Sequence, residues 1–511
     1  MSTHLKISPV LYAALGAAFA FYGLFPLYSR GLIGMHALLA LAFVPLAALC
    51  LFRVLASWPL LGKNKAQTRR FIRQVSLRAT AFAAGIALGI GAGTRASNTV
   101  YLGLPYEGVT GLTGILLDDP RLVSGGRALS TLSLSMVLNQ DGVRASARGE
   151  ISVFFHEENA ARLREFGRGT EVFAEGTLRA GTGGFDGAYV MSADALHITR
   201  TAQPLERFRT NLRLSLTQRF TGANAPVWGT AWGGMALALL LGIRDNLDTG
   251  ITALYRQAGV SYLLALSGMH LAVLIAIISF LLKKPLGLRA AAIVGACIIV
   301  VYCFLVGPLP SLIRSAIMYI LGVLAVLGML KREPLSILSL AFLLQLMVTP
   351  RSGVSISFIL SYAALVGILV IGKLIGSLFK GKIPEFFLQP LSISLGAFIA
   401  TASFVAWFFN YLRPVGILAG LVLAPLTTLF MVVAMAWLGL DLILPSFSFL
   451  LGRPLSLVYW LKEKTVLAAS FAPGIRAHPL VVLVVSLLLV ALLVFFESRR
   501  RKTANRLDAF V

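Results

Sequence analysis

The sequence is short of charge, of acidic residues and of cysteine. Only 13% of its 511 residues are charged and 57% are hydrophobic, whereas ordinary globular domains are about a quarter charged. Because a buried unpaired charge is costly in lipid, this deficit favours a membrane protein over a soluble one. The three cysteines lie in apolar segments and lack the spacing of a disulfide framework or a zinc site; they are Cys50, Cys297 and Cys303.

Two kinds of motif are also missing. No G-x-x-x-x-G-K-[ST] run occurs, so the chain carries no P-loop motor of its own. The six histidines do not cluster along the sequence, which argues against a metal-hydrolase site. We therefore predict that the chain is not an enzyme and that it binds neither a metal nor a cofactor.

The acidic residues that are present are unevenly distributed. Twelve of the 21 Asp and Glu fall within residues 101–200, while 45 Lys and Arg give the whole chain a net charge of +24. The remainder of the chain is thus strongly basic and nearly free of carboxylates. Basic cytoplasmic loops explain much of this charge, so charge alone does not imply a nucleic-acid partner.

Long apolar runs predict an α-helical, multi-pass protein of a bacterial inner membrane. Roughly 20 apolar residues span a hydrocarbon core, and residues 1–99 contain runs at 8–28, 32–55 and 79–97. The first run has no A-x-A site, so we do not expect a cleavable signal peptide. A basic loop after the second run is assigned to the cytoplasm, so the third leads outside. Small residues in the third predict close helix packing; they are Gly85, Gly89 and Gly93.

Residues 100–200 change character and predict a small extracytoplasmic all-β domain. Leu132, Leu134, Met136 and Leu138 recur with the period of two that is typical of a strand. About five short strands in about 100 residues suit an OB-fold-like barrel, and a sandwich is the alternative. The strand candidates are 110–117, 132–138, 143–155, 170–179 and 187–198.

The remaining chain divides into three parts. Arginines mixed with leucine and phenylalanine over 204–222 predict an amphipathic helix on the outer leaflet, within the segment 201–225; a plain linker helix is the alternative. Residues 226–497 alternate apolar runs with short loops and predict a transmembrane domain. Residues 498–511 form a basic tail that the positive-inside rule assigns to the cytoplasm.

The assignment of loops to the two sides fails just before the basic loop near residue 285. If both 226–243 and 253–282 crossed completely, that loop would lie outside, so one of the two is predicted to be re-entrant or broken. Broken helices at membrane depth occur where they line protein or a water-filled cavity. The polar residues there are candidates for lining a pathway: Arg244, Ser267, Gly268 and His270.

A second constellation centres on Arg314. Pro310 suits the first turn of a helix, and Ser311, Arg314 and Ser315 then share one face. An arginine inside a span normally faces a cavity or a partner, and a helix N-terminus with hydroxyls and a guanidinium suits phosphate. Snorkelling of the arginine to the headgroups is the alternative. Ser357 and Ser361 are further candidates for a polar path, or else contacts between packed helices.

The order of these features resembles the ComEC competence family, the inner-membrane DNA uptake channels of natural transformation. Three spans lead to an OB-like domain and an arginine-rich stretch, and Leu240 to Arg244 follow. Next come the run Gly259 to His270, the Pro310-Ser311 pair with Arg314, and the segment Ser357 to Ala364. The resemblance is to a form without the family's C-terminal metallo-β-lactamase-like domain. It implies that residues 226–497 are a channel for single-stranded DNA.

The resemblance and the missing P-loop together imply partners. Moving each phosphate charge against 100 mV costs about 2.3 kcal/mol, so a cytoplasmic ATP-driven motor is expected to pull the strand. A periplasmic protein is expected to deliver DNA, and a separate nuclease is expected if one strand is degraded. Two alternatives remain at this point: a secondary transporter for a smaller anion in the bilayer, and an intramembrane hydrolase that uses Ser267 and His270.

Overall fold

The computed structural model describes residues 8–26, 65–97, 100–123, 126–180, 189–221, 230–329 and 333–507. The predicted span at 32–55 lies outside these residues. The helices in chain order are α1 (Pro9–Leu24), α2 (Lys65–Ala96), α3 (Glu157–Phe166), α4 (Pro204–Thr221), α5 (Thr230–Leu241), α6 (Thr249–Gln257), α7 (Gly268–Val306), α8 (Pro310–Val326), α9 (Pro334–Val348), α10 (Ile356–Phe379), α11 (Glu385–Phe409), α12 (Val415–Ile443), α13 (Phe449–Ser470) and α14 (Pro479–Leu507).

Apolar helices dominate the part of the chain outside the β-domain. Six described helices (α2, α7, α10, α11, α12 and α14) are long and apolar enough to cross a membrane, and α1, α5, α8 and α9 are shorter apolar helices. The predicted α-helical multi-pass architecture is thereby confirmed.

Helices α1 and α2 pack with almost no space between their backbones. A Cβ added at Gly85 would lie 1.9 Å from a backbone oxygen of α1, and one at Gly89 would lie 2.4 Å from another. A Cβ at Gly93 would lie 2.5 Å from the Phe25 ring. The close packing predicted from these small residues is therefore confirmed.

Replacing Gly85 by valine is expected to push α1 away from α2, because the new side chain overlaps backbone that cannot move aside. We expect a destabilisation of about 2 kcal/mol or more, as for an overpacked core, seen as a lower unfolding temperature of the detergent-purified protein. Gly91 is the matched control, since a Cβ there meets no atom within 4 Å. An equal loss in Gly91→Val would contradict the packing argument.

The inserted domain contains a closed β-barrel, which five of its strands form. The strands described in the domain are β1 (Tyr101–Leu102), β2 (Val109–Leu116), β3 (Arg121–Leu122), β4 (Ala128–Asn139), β5 (Arg144–Arg148), β6 (Glu150–Phe155), β7 (Glu171–Ala180) and β8 (Tyr189–Arg200). The ring runs β2-β4-β6-β8-β7 and returns to β2, with β6 and β8 parallel and the other pairs antiparallel. This closed five-stranded arrangement agrees with the predicted OB-fold-like barrel.

Alternating side chains fill the barrel, but the alternation in β4 breaks once. Leu132 and Leu134 are buried, while Met136 is 37% exposed and Val137 is buried instead. The register between β2 and β4 shifts at this point, because Thr113 pairs with Met136 and the next residue pairs with Leu134. The strand predicted from this alternation is confirmed as β4, and its buried face changes beyond Leu134, since a bulge exchanges the two faces.

Helix α3 covers the barrel between β6 and β7 and was not anticipated from the sequence. Glu157 and Glu158 lie in its first turn, where their negative charges interact favourably with the helix dipole. Gly167 ends the helix with a φ of 65°. Leu163 is fully buried in the barrel core. These termini are the signal that could have located the helix.

Helix α4 ties the barrel to the membrane helices through buried arginines. Arg209 is 1% exposed and its Nη2 lies 2.6 Å from an Asp119 carboxylate oxygen of the barrel domain. Arg213 donates to the carbonyl oxygens of Leu305 and Val306 at 2.9 and 3.0 Å. These carbonyls end α7, so the guanidinium satisfies a helix C-terminus. A second ion pair, between Arg351 and Glu150, also joins the two parts.

Helix α4 is amphipathic, but its arginines do not form a fully solvated face. Leu205, Phe208 and Leu212 are exposed along one stripe, whereas Arg209 is buried and Arg219 pairs with Asp441 at 2.7 Å. The helix predicted over 204–222 is present. Its location on the outer leaflet stays a prediction.

Residues 253–282 do not form one continuous helix, in agreement with the predicted break. Helix α5 ends at Leu241, and residues 242–248 between α5 and α6 are not helical. Helix α6 has nine residues, and a loop then leads to the start of α7 at Gly268. Backbone therefore changes direction between α5 and α7, next to the candidate pathway residues.

Helix α7 is a hairpin rather than one rod. It has 39 residues and bends at Gly287, whose φ of 74° and ψ of 169° are not helical. Leu271 and Leu274 of the first arm share a hydrophobic cluster with Ile299 and Cys303 of the second. These residues lie at similar distances from the bend along the chain, so the arms run back along each other. The basic residues of the predicted loop near 285 are thereby placed at the turn.

Candidate functional site

The N-terminus of α7 is built from a serine and a histidine. Ser267 is the N-cap residue of α7. Its backbone N–H donates to His270 Nδ1 at 3.0 Å, and its Oγ lies 3.0 Å from the same nitrogen. Because Nδ1 accepts a hydrogen bond, the neutral imidazole carries its proton on Nε2. Nε2 is buried and has no hydrogen-bond partner among the described residues, so the ring holds an unused donor.

Serines link the N-terminus of α8 to α10. Pro310 occupies the first turn of α8, and Ser315 Oγ donates to the Ser311 carbonyl at 2.8 Å. Ser311 Oγ in turn lies 2.9 Å from Ser357 Oγ and 3.5 Å from Ser361 Oγ. The structure thus brings together two sets of candidate residues that are more than 40 positions apart in the sequence.

Arg314 is buried beside these serines without an acidic partner. Arg314 is 5% exposed. Its Nη2 lies 3.5 Å from Ser315 Oγ, which is a long hydrogen bond. Nε and Nη1 have no hydrogen-bond partner in the described parts of the chain. The guanidinium carbon lies 5.7 Å from the centre of the Tyr362 ring, a cation–π contact. Snorkelling to headgroups does not fit a side chain this deeply buried.

The two constellations meet at Gly268. A Cβ added there would lie 2.7 Å from Ser315 Oγ and 3.5 Å from Arg314 Nη2. The first residue of α7 therefore touches the polar face of α8, and only a glycine leaves that space open. This contact depends on the break before α7, which allows a helix N-terminus to lie within the bundle.

Gln345 of α9 was missed by the sequence reasoning. It is fully buried, and its Nε2 donates to the Pro310 carbonyl in the first turn of α8 at 2.8 Å. Tyr362 OH donates to Gln345 Oε1 at 2.9 Å. A single amide within an otherwise apolar helix was the available signal, since such groups are seldom buried without partners.

Arg244 and Asp245 lie at the border of the barrel rather than beside Arg314. Arg244 Nη2 donates to the Leu264 carbonyl at 3.2 Å and so supports the chain that leads into Ser267. Asp245 Oδ1 accepts from the Leu122 backbone N–H at 3.2 Å, and its Oδ2 lies 3.3 Å from Arg164. Burial raises the pKa of Asp245, and Arg164 opposes that shift.

Lys462 of α13, like Arg314, is a buried cation without an acidic partner among the described residues, and the sequence reasoning did not single it out. It is 1% exposed, and its ammonium lies 4.7 Å from the centre of the Phe430 ring. Lys462 also lies near enough to His270 for the two side chains to interact electrostatically. Its position in the sequence, beside Glu463 and Lys464, resembles an ordinary solvated helix turn, which hides its burial.

Among the described residues, no three His, Cys, Asp or Glu side chains are placed to hold a metal ion. The site is instead a set of hydroxyls, an amide and cations at the junction of several helices.

Together, the fold and the site define a multi-pass membrane protein with a separate small β-barrel and with cations buried between its helices. A family model described as "Competence protein" matches residues 239–501, just over half of the chain. The chain therefore belongs to the competence protein family. An uncharacterized protein of Aquifex aeolicus (strain VF5) is similar to it, with 32% identity over 216 residues that cover 42% of this chain and 48% of that protein. The chain thus spans about half the length of the curated relative that it matches.

Proposed function

We propose that this chain forms an inner-membrane channel that passes single-stranded DNA into the cytoplasm during natural transformation. Membership of the competence family supports a role in DNA uptake. The observation that carries the proposal is the guanidinium of Arg314, which is buried among membrane helices and has two nitrogens without partners. A buried charge in that state is strongly unfavourable, so a ligand that restores its hydrogen bonds is the natural explanation.

The chemistry of the unused groups specifies that ligand. The atoms of Arg314 that have no partner among the described residues are N–H donors. Donors require an acceptor, and a guanidinium binds phosphate through two parallel hydrogen bonds. Ser311 and Ser315 add neutral hydroxyls, which bind a phosphate more weakly than further charged groups would. A phosphate of a passing strand fits this set, and Ser357, Ser361 and Ser267 would line the same path.

The proposed partners follow from energetics. Each phosphate that enters against a potential of 100 mV costs about 2.3 kcal/mol, and the sequence has no P-loop. We therefore propose a separate cytoplasmic ATP-driven motor, a periplasmic protein that delivers DNA, and a separate nuclease where one strand is degraded.

The barrel is proposed either to contact DNA or to act as a scaffold. Tyr106 and Tyr189 have ring centres 5.6 Å apart, and Phe173 stacks on His197 at 6.4 Å; OB-folds stack bases on such rings. Residues 101–200 nevertheless carry nine Arg against twelve acids, which gives little electrostatic attraction for a polyanion. The ion pairs of α4 with the barrel favour the scaffold role.

A secondary transporter for a smaller anion is the second candidate. Proton coupling usually uses intramembrane carboxylates, and Asp441 is almost the only candidate that the sequence places away from loop regions. Asp441 is paired with Arg219 at 2.7 Å, which favours its neutralisation within the protein rather than proton carriage. This contact weakens the transporter hypothesis.

A planar bilayer containing the purified chain tests the proposal, because an applied voltage replaces the motor. We expect voltage of the correct sign to carry single-stranded DNA across, measured by amplification from the far chamber, while duplex DNA of equal length is retained. Orthophosphate in place of DNA is expected to carry little current. If orthophosphate crosses and single-stranded DNA appears no faster than through a protein-free bilayer, the channel proposal is wrong and the transporter is favoured.

A further inference from the structure

Lys462 has no partner of opposite charge, although it is almost completely buried. Its ammonium forms no ion pair or hydrogen bond with any residue that the structure describes, and its close contact is the face of Phe430 at 4.7 Å. A ring face contributes far less than the loss of hydration costs. A lysine in this state therefore lowers the stability of the folded protein, so a function of the lysine is the natural reason for its presence.

The surroundings of Lys462 contain further polar groups that lack partners. His270 Nε2 and Thr427 Oγ are buried with no partner in the described residues. Thr427 precedes Phe430 by three positions and so lies on the same face of α12. One hydrophobic cluster contains Val273, one turn beyond His270, and Val458 and Val466, one turn on either side of Lys462. The faces of α7 and α13 that carry these polar groups therefore border the same core, and α12 packs against both helices.

This region is separate from the Arg314 site. Gly268 faces Ser315 and Arg314 on α8, and His270 follows two positions later, a rotation of about 200° around the helix. The N-terminus of α7 thus lies between two groups of unused donors. Arg314 is on the α8 side, and His270 with Lys462 is on the α13 side.

We propose that Lys462 and His270 form a second anion-binding position, which holds a phosphate of the strand after or before Arg314 does. This inference rests on the proposed function. Both unused groups are donors, so the missing component is an acceptor, and a phosphate between an ammonium and a neutral imidazole N–H satisfies both. Lysine suits a transient contact, because its ammonium is a mobile point charge rather than a rigid fork.

The test replaces Lys462 by methionine, which keeps the apolar stem and removes the charge. In the bilayer assay we expect passage of single-stranded DNA to fall about tenfold, the effect of one lost charge-assisted contact. The unfolding temperature of the purified full chain is expected to rise, since an unpaired buried charge has been removed. Lys464→Met, at an exposed position on the same helix, is expected to change neither quantity, and Lys462→Arg is expected to retain most of the passage.

The results separate this inference from the proposed function. If Arg314→Gln slows passage and Lys462→Met does not, the second position is wrong while the channel stands. If the wild-type chain passes no DNA, the channel proposal is wrong, and the proposal of a second phosphate position is then wrong as well. A lower unfolding temperature for Lys462→Met, with passage unchanged, would assign this lysine to packing and overturn the inference.

Discussion

Exchange of Arg314 for glutamine is expected to reduce voltage-driven passage of single-stranded DNA by roughly 100-fold. Hydrogen bonds to charged groups contribute about 1.5–3 kcal/mol each, and 1.4 kcal/mol is a factor of ten, so losing two of them to a phosphate gives that magnitude. Among the described residues, the contacts of the Arg314 guanidinium are a long one to Ser315 and the face of the Tyr362 ring. Folding is therefore expected to persist, with an unfolding temperature equal to or above that of the wild type.

Two variants define what the loss means. Arg314→Lys keeps the charge but not the planar fork, so intermediate passage is expected. Arg453→Gln removes an exposed arginine from α13 and is expected to leave passage unchanged. The measurement is the amount of DNA in the far chamber per open channel. Wild-type passage through Arg314→Gln at equal channel density would remove the phosphate contact from the mechanism.

Local pattern was enough to predict most of the secondary structure. The period-two alternation marked the barrel strands, and apolar runs marked the membrane helices, because both signals depend on neighbouring residues alone. The glycine spacing at Gly85 and Gly89 predicted close packing with another helix. It did not predict that this helix would be α1. The break was predicted by assigning loops to the two sides of the membrane, and in the structure it is the non-helical chain between α6 and the start of α7 at Gly268.

Long-range contacts could not be predicted in the same way. Nothing near Arg314 in the sequence points to Tyr362 or Gln345, because the three come together only when α8, α9 and α10 pack. Arg209 belongs to an arginine-rich helix that looks solvated, yet an aspartate 90 positions earlier buries it. Lys462 was hidden for the opposite reason, since its charged neighbours mimic an exposed turn. Burial of a charge is decided by tertiary partners rather than by local sequence.

Cations without matching acids suit the transport of a polyanion. A conduit must bind its cargo well enough to admit it and weakly enough to release it. Arg314 and Lys462 each offer one charge, and their neighbours are neutral hydroxyls, an imidazole and aromatic rings. Single charges at separate positions allow a strand to exchange one contact for the next. A dense cluster of arginines would instead hold it in place.

Exchange of Asp119 for asparagine is expected to loosen the barrel from the membrane helices. Asp119 accepts both Nη groups of Arg209 at 2.6 and 3.0 Å and lies 3.5 Å from Arg213 Nε. Its charge is therefore what balances the fully buried Arg209 side chain, with help from Glu206 at 3.1 Å. Removing one member of a buried pair costs about 3–5 kcal/mol, and the lower end applies here because Glu206 remains beside Arg209 and Asp119 is one quarter exposed. The separation of α4 from the barrel should become correspondingly easier.

Limited proteolysis measures that separation directly, because cleavage near Arg200 follows the population in which the end of β8 and the start of α4 have opened. A change of about 3 kcal/mol corresponds to roughly 100-fold faster cleavage. Asp141→Asn, at an exposed turn of the same barrel, is expected to leave the rate unchanged. The double variant Asp119→Asn with Arg209→Met should cleave more slowly than Asp119→Asn alone, since no buried charge then lacks a partner. Additive effects of the two changes would mean that this pair does not hold the barrel in place.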